Sequence, residues 1–171
     1  MVYALGGRFF RPYLTDDIIG TQIGGAVKNV IAIACGITMG KGMGENARAA
    51  LVTRGFAEIA RLTLAKGGRY ETLMGLSGLG DLLLTCGSAK SRNTSFGIAI
   101  GQGKSRDEIL GGRGRTATEG VVAAESVSKM AKKHGVEMPI CDAVYRILHE
   151  EAPVDEIIRE LLERPFSSET L

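Results

Sequence analysis

Lys28 is the only charged side chain between Asp17 and Lys41, in the run Ile18-Ile-Gly-Thr-Gln-Ile-Gly-Gly-Ala-Val-Lys28-Asn29-Val-Ile-Ala-Ile-Ala-Cys-Gly-Ile-Thr-Met-Gly40. An ammonium set among Val27, Val30, Ile31 and Ile33 is costly to desolvate, so a chain that keeps one there puts it to use. Lys28 is therefore read as a catalytic lysine, able to hand a proton to a substrate oxygen and take one back. Such a group wants a carboxylate or amide nearby, and Asp81 and Asn29 are the candidates. Ser91-Arg92-Asn93-Thr94 is a second chemical feature. A polar, cationic start of a helix offers free backbone N–H groups, a favourable dipole end and a guanidinium, which together suit a phosphate dianion. Taken alone, the same stretch also suits a simple N-cap with a solvated Arg, and Asp81, after closely spaced glycines, suits a turn.

Helices must position these groups. Asp16 or Asp17 can cap one that runs to about Met39. Its small residues Gly24, Gly25, Ala26, Ala32 and Ala34 let other backbone approach, so this helix is expected to be central. After a Gly40 to Gly44 loop, Glu45 to about Lys66 repeats Ala49, Leu51, Val52, Phe56, Ile59, Ala60 and Leu62 at helical spacing. Arg48, Arg54, Glu58 and Arg61 supply its wetter side and Gly67-Gly68 its stop. Turns surround Glu71 to Leu73, and the glycine-rich Gly75 to Asp81 leads into Leu82 to Thr85, where a short helix competes with a strand. Thr94 or Ser95 starts a helix to about Ile100, and Ser105 caps another to Leu110. Gly111 to Arg115 reads as a flexible basic loop, and Thr118 caps a helix through Lys133. Pro139 and Pro153 open amphipathic helices over Ile140 to Glu150 and Val154 to Glu163. Only Phe9 to Leu14 hints at alternation. The expected fold is all-α, several helices packed on the Lys28 helix in a single domain over 1–171, with 1–14 and 165–171 peripheral.

At 171 residues and 18.1 kDa, with 44% hydrophobic and 23% charged residues, the chain can close one substantial core. A formal net charge of +2 with no Lys/Arg run interleaved with aromatics argues against a nucleic-acid partner. Cys35, Cys86 and Cys141 show no paired spacing, which points to reduced thiols in a cytoplasmic protein, and with His134 and His149 read as plain surface residues no metal is expected. The apolar run is broken by Gly20, Gln22, Gly24, Gly25, Asn29 and Gly36, so it reads as a buried core helix and no membrane insertion is expected. The first residues lack the pattern of a signal peptide. Gly103-Lys104-Ser105 has Ile98 where a phosphate loop needs glycine, and Gly75 to Gly80 places its glycines in the wrong order for a dinucleotide loop. The chain cannot build its own Rossmann site.

Four segments in order, Gly24 to Ala34, Gly44-Glu-Asn-Ala-Arg-Ala-Ala-Leu-Val-Thr-Arg-Gly55, Gly75-Leu-Ser-Gly-Leu-Gly-Asp-Leu-Leu-Leu-Thr-Cys86 and Ser91-Arg92-Asn93, closely resemble NAD(P)-dependent glycerol-3-phosphate dehydrogenase of the bacterial type. The resemblance covers about Tyr13 to Leu148. It implies a two-domain enzyme, with an N-terminal Rossmann domain for the nicotinamide cofactor, NAD or NADP, and a helical C-terminal domain for most substrate contacts. This chain resembles only the second, so by itself it is expected to lack dehydrogenase activity. By the resemblance Lys28 is the general acid/base, and Asp81, Ser91, Arg92 and Asn93 contact glycerol 3-phosphate, with Asn29 and Thr85 in support. Arg92, Ala117 and Glu119 match positions that touch the cofactor, although Gly111 to Ala117 is longer and more basic than the family pattern. The role implied is interconversion of glycerol 3-phosphate and dihydroxyacetone phosphate for glycerophospholipid synthesis. Apolar residues on the last two helices leave a homodimer open.

Two alternatives stand beside that expectation. One is a noncatalytic helical module for dimerisation or partner binding that keeps these residues by descent. The other is the helical domain of a 6-phosphogluconate or hydroxyacid dehydrogenase, which shares the two-domain plan but is argued against by Ser91-Arg92-Asn93 and Gly80-Asp81.

Overall fold

Asp17 decides where the central helix begins. Its carboxylate accepts the Gly20 N–H at 2.9 Å, capping helix α1, Ile18–Gly40, and also accepts the Arg69 N–H at 2.8 Å, so the cap anchors a distant loop as well. The computed structural model describes residues 6–113 and 118–165. After α1 come α2 (Gly44–Ala65), α3 (Tyr70–Leu73), a π-helical turn (Leu76–Gly80), α4 (Asp81–Cys86), α5 (Arg92–Gly101), α6 (Arg106–Arg113), α7 (Thr118–His134), α8 (Pro139–His149) and α9 (Val154–Leu162). The architecture is all-α. Among the described residues no strand forms, and the alternation at Phe9 to Leu14 yields only a turn at Arg8-Phe9 closed by one isolated bridge, Gly7 to Phe10, followed by irregular chain. No described segment pairs with it, so Phe9, Tyr13 and Leu14 stay exposed.

Helix α1 is the axis on which α2, α4, α5, α7 and α8 pack. Val27, Val30, Ile31 and Ile33 are no more than 1% exposed, and Phe96, Leu62, Leu82, Val144 and Leu148 fill the space around the helix. By length and composition α1 could cross a membrane, yet 67% of its apolar window is buried by other parts of this chain. A core helix buries its apolar surface in this way.

The tightest crossing is that of α1 with α5. A Cβ on Gly97 would fall on the Ile33 carbonyl oxygen and within 3.0 Å of the Gly36 Cα, and one on Gly101 would sit 3.1 Å from the Gly40 Cα. Backbone meets backbone there, which only missing side chains permit. The free thiols Cys35 and Cys86 also touch, across α1 and α4.

Several boundaries differ from the sequence expectation. Helix α5 starts at Arg92 rather than Thr94, because Ser91 caps it through the Thr94 N–H at 3.4 Å and the Thr94 hydroxyl is used elsewhere. Residues 111–113 close α6 instead of forming a loop, and Gly114 and Arg115 lie outside the described residues. Ser105 and Glu108 cap α6 reciprocally, with N–H···O distances of 2.7 and 3.2 Å. Within the Gly75 to Gly80 stretch, Leu76–Gly80 form a π-helical turn that runs straight into α4.

Two polar residues assigned to the surface are not there. His149 is half-buried, its Nε2 bonded to the Val121 carbonyl at 2.9 Å and its ring stacked on Tyr145. Glu58 is 1% exposed, and its carboxylate accepts the Ile140 and Cys141 N–H groups at 2.7 and 3.1 Å. It caps α8 from α2, a task no nearby side chain performs, since Met138 stands at the N-cap.

Burial pushes the Glu58 carboxyl above the ordinary glutamate range, against the opposing pull of the two N–H bonds. The folded chain thus holds this proton more tightly than the unfolded one. That increment of stability is complete below about pH 4.3 and is lost as pH rises through the folded value. Glu58→Gln should abolish the decline and cost about 1–3 kcal/mol near neutrality, because its NH2 faces an N–H that needs an acceptor. Urea melts of both proteins between pH 4 and 8 read this directly, and parallel curves would refute it.

Candidate functional site

Lys28 projects from the middle of α1 and donates to the Asp81 Oδ2, the two side chains being 19% and 34% exposed. Apolar neighbours on the helix hold the amine at the edge of the core, where a charge is retained only with a partner. Asp81 is placed by the π-helical turn. Its N–H donates to the carbonyls of Leu76 and Gly78, and the extra residue of the turn sets α4 in line behind it. Thr85, one turn on, donates to the Asp81 carbonyl at 2.7 Å and reaches the Oδ1 at 3.4 Å. The Thr85 hydroxyl has one hydrogen, directed chiefly to that carbonyl, so it braces the first turn of α4 while Lys28 holds the carboxylate.

Thr94 carries the connection onward. Fully buried, its hydroxyl donates to the Thr85 carbonyl at 2.7 Å and ties α4 to the first turn of α5. Sequence reasoning saw Thr94 only as a cap and missed this tie, whose acceptor is a backbone atom with no residue-type signature.

Asn29 does not serve as the amide partner of Lys28. Its Nδ2 donates to the Gly25 carbonyl at 3.3 Å, and since a carbonyl only accepts, the Asn29 Oδ1 is left to receive the Asn93 Nδ2 at 3.0 Å. Lys28 and Asn29 on α1 are thereby joined to Arg92 and Asn93 on α5 by one amide–amide bond. Ser91 accepts at its Oγ to cap α5, which leaves its O–H hydrogen to donate outward. The N–H groups of Arg92 and Asn93 precede the intrahelical ladder and carry the positive end of the helix dipole.

Arg92 and Glu119 meet at 3.4 Å with side chains 57% and 64% exposed, a solvated contact that contributes little to stability. Their exposure leaves both able to reach a ligand at the surface. Ala117 lies outside the described residues.

The arrangement links an amine held by a carboxylate, through the Asn29–Asn93 bond, to a cationic helix start. A small molecule with a phosphate at one end and a reactive oxygen near the other fits that pair of features.

The family described as NAD-dependent glycerol-3-phosphate dehydrogenase C-terminus matches residues 17–159. The glycerol-3-phosphate dehydrogenase (NAD(P)+) of Maricaulis maris is 59% identical over 170 residues, 99% of this chain and 51% of that protein. The protein of the same name from Parvibaculum lavamentivorans is 58% identical over 170 residues, again 99% and 51%. A crystal structure of glycerol-3-phosphate dehydrogenase from Coxiella burnetii, 47% identical, superposes with a TM-score of 0.89 over 95% of this chain and 50% of that one. The chain thus spans about half the length of the relatives it matches. From its helical fold and its matched length, this chain belongs to the NAD-dependent glycerol-3-phosphate dehydrogenase family, as a C-terminal domain.

Proposed function

We propose that this chain is the substrate-holding half of an NAD(P)-dependent enzyme that interconverts glycerol 3-phosphate and dihydroxyacetone phosphate, supplying glycerophospholipid synthesis in the cytoplasm. The observation that carries the reading is the Lys28–Asp81 pair joined to Arg92-Asn93 through Asn29. The small-molecule substrate meets no nucleic acid and no membrane in this reading, and a homodimer is compatible with it.

Ser91, Arg92 and Asn93 hold the phosphate, so that binding energy from the nonreacting end orients C2. A nicotinamide cofactor, when bound, would supply or take the hydride at C2. Negative charge then grows on the C2 oxygen, and Lys28, as ammonium, stabilises it and donates a proton. In the oxidative direction the neutral amine accepts the hydroxyl proton. Asp81 keeps the amine aimed, with Thr85 bracing the first turn of α4. Arg92 and Glu119 are the described groups we assign to the cofactor, which the other half of such an enzyme would otherwise hold, and their solvated positions at the start of α5 and the start of α7 suit that role.

Thermal melts of the chain test this reading without the cofactor half. Glycerol 3-phosphate at about 100 times its Kd should raise the Tm by roughly 5 °C or more, whereas glycerol at the same concentration should not. Arg92→Lys should remove most of the rise, because a point charge does not replace a two-pronged contact. An unchanged Tm with glycerol 3-phosphate would refute substrate binding by this half and favour a noncatalytic helical module.

A further inference from the structure

One face of the first turn of α7, Gly120 and Val121, is buried in the bundle. Gly120 is buried, and a Cβ built on it would lie 2.5 Å from the Asn93 Oδ1 and 2.7 Å from the Ile33 Cδ1. That amide oxygen is the one left over once the Asn93 Nδ2 is directed to Asn29. On the far side of the same turn the His149 ring bonds the Val121 carbonyl at 2.9 Å, and because a carbonyl only accepts, Nε2 carries the hydrogen. The turn is thus pinned from outside by α8 and seated from inside on α1 and α5. Glu119, next in the chain, meets Arg92.

We infer that Gly120 is a positioning residue, whose missing side chain lets α7 close over the Asn93 amide and hold it for the bound substrate. The inference rests on the assignment of Asn93 as a substrate contact. A side chain at position 120 must push either the amide or the whole helix start aside. If the amide moves, its bond to Asn29 goes with it, and the join between the phosphate end and the proton-transfer end of the site is loosened. Lys28, Asp81 and Thr85 lie on α1 and α4 and are left in place. The expected signature is weaker substrate binding with little change in the chemical step.

A double-mutant cycle in the full-length enzyme decides it. Gly120→Ala should raise the KM for glycerol 3-phosphate about tenfold while kcat stays within about threefold of the parent. In an Asn93→Ala background the same change should alter KM by less than about twofold, because the oxygen it displaces is gone. The cycle is run in parallel with Ile33→Val in every member, which removes the second clash and keeps the proteins folded should Gly120→Ala alone not fold. An unchanged KM in Gly120→Ala, or an equal rise with and without the Asn93 amide, overturns the inference. A parent enzyme that does not oxidise glycerol 3-phosphate overturns the functional reading itself, a separate and distinguishable result.

Discussion

Lys28→Ala in the full-length enzyme is expected to lower turnover about a thousandfold or more while nucleotide affinity stays close to that of the parent. Two contributions vanish together: general acid–base transfer, about 10²–10⁴, and the positive charge that stabilises the growing alkoxide. The Asp81 carboxylate, 34% exposed and stripped of its partner, then faces the reacting oxygen and opposes the charge that develops there. Cofactor affinity is spared because Lys28 is bonded to Asp81 and takes no part in the Arg92–Glu119 contact. Lys28→Arg separates the two contributions. It keeps a cation but not a proton that can be given up near neutrality, so it should recover only part of the loss. Single-turnover rates with a nucleotide titration measure both quantities, and near-normal turnover in Lys28→Ala would rule out the proton-transfer role.

Gly97→Ala should destabilise the fold by about 3 kcal/mol or more, lowering the Tm by roughly 10 °C. The added methyl meets the Ile33 carbonyl, the Gly36 Cα and the rest of a backbone-on-backbone crossing. Rotamer changes cannot relieve such a clash, so α5 has to move off α1. The consequence reaches the site, since α5 carries Ser91, Arg92 and Asn93 at its start. Gly111→Ala in α6 is the matched control. A Cβ there meets nothing within 4 Å, and the exchange should be neutral or stabilising by up to about 1 kcal/mol. A Gly97→Ala protein that melts within about 2 °C of the parent would show that the crossing has slack.

Much of the candidate site was legible in the residues. An ammonium alone in a run of Val and Ile announces itself, and its need of a polar partner pointed to Asp81 and Asn29, of which the structure has Asp81 bonded to it. Asn29 was legible as a polar neighbour but not as a link, because whether its amide faces Lys28 or α5 depends on where the Gly25 carbonyl and Asn93 lie. Glu58 was misjudged for a related reason. Its place on the polar side of a helical wheel suggested water, whereas α8 begins against that side with two N–H groups and no local cap. His149 shows the same pattern with a single carbonyl.

The residue order by itself determined most of the helices, the core stripe of α1, the Ser105 cap and the chemical types gathered for proton transfer and phosphate capture. These depend on interactions within one or two turns, where spacing along the chain is spacing in space. Only the tertiary structure decided the pairings. Lys28 meets Asp81 across 53 positions, Asn93 meets Asn29 across 64, and Ile140 meets Glu58 across 82. Those contacts follow from how closely helices cross and in which register. That is set by the combined packing of every face at once, and no local pattern of residues encodes it.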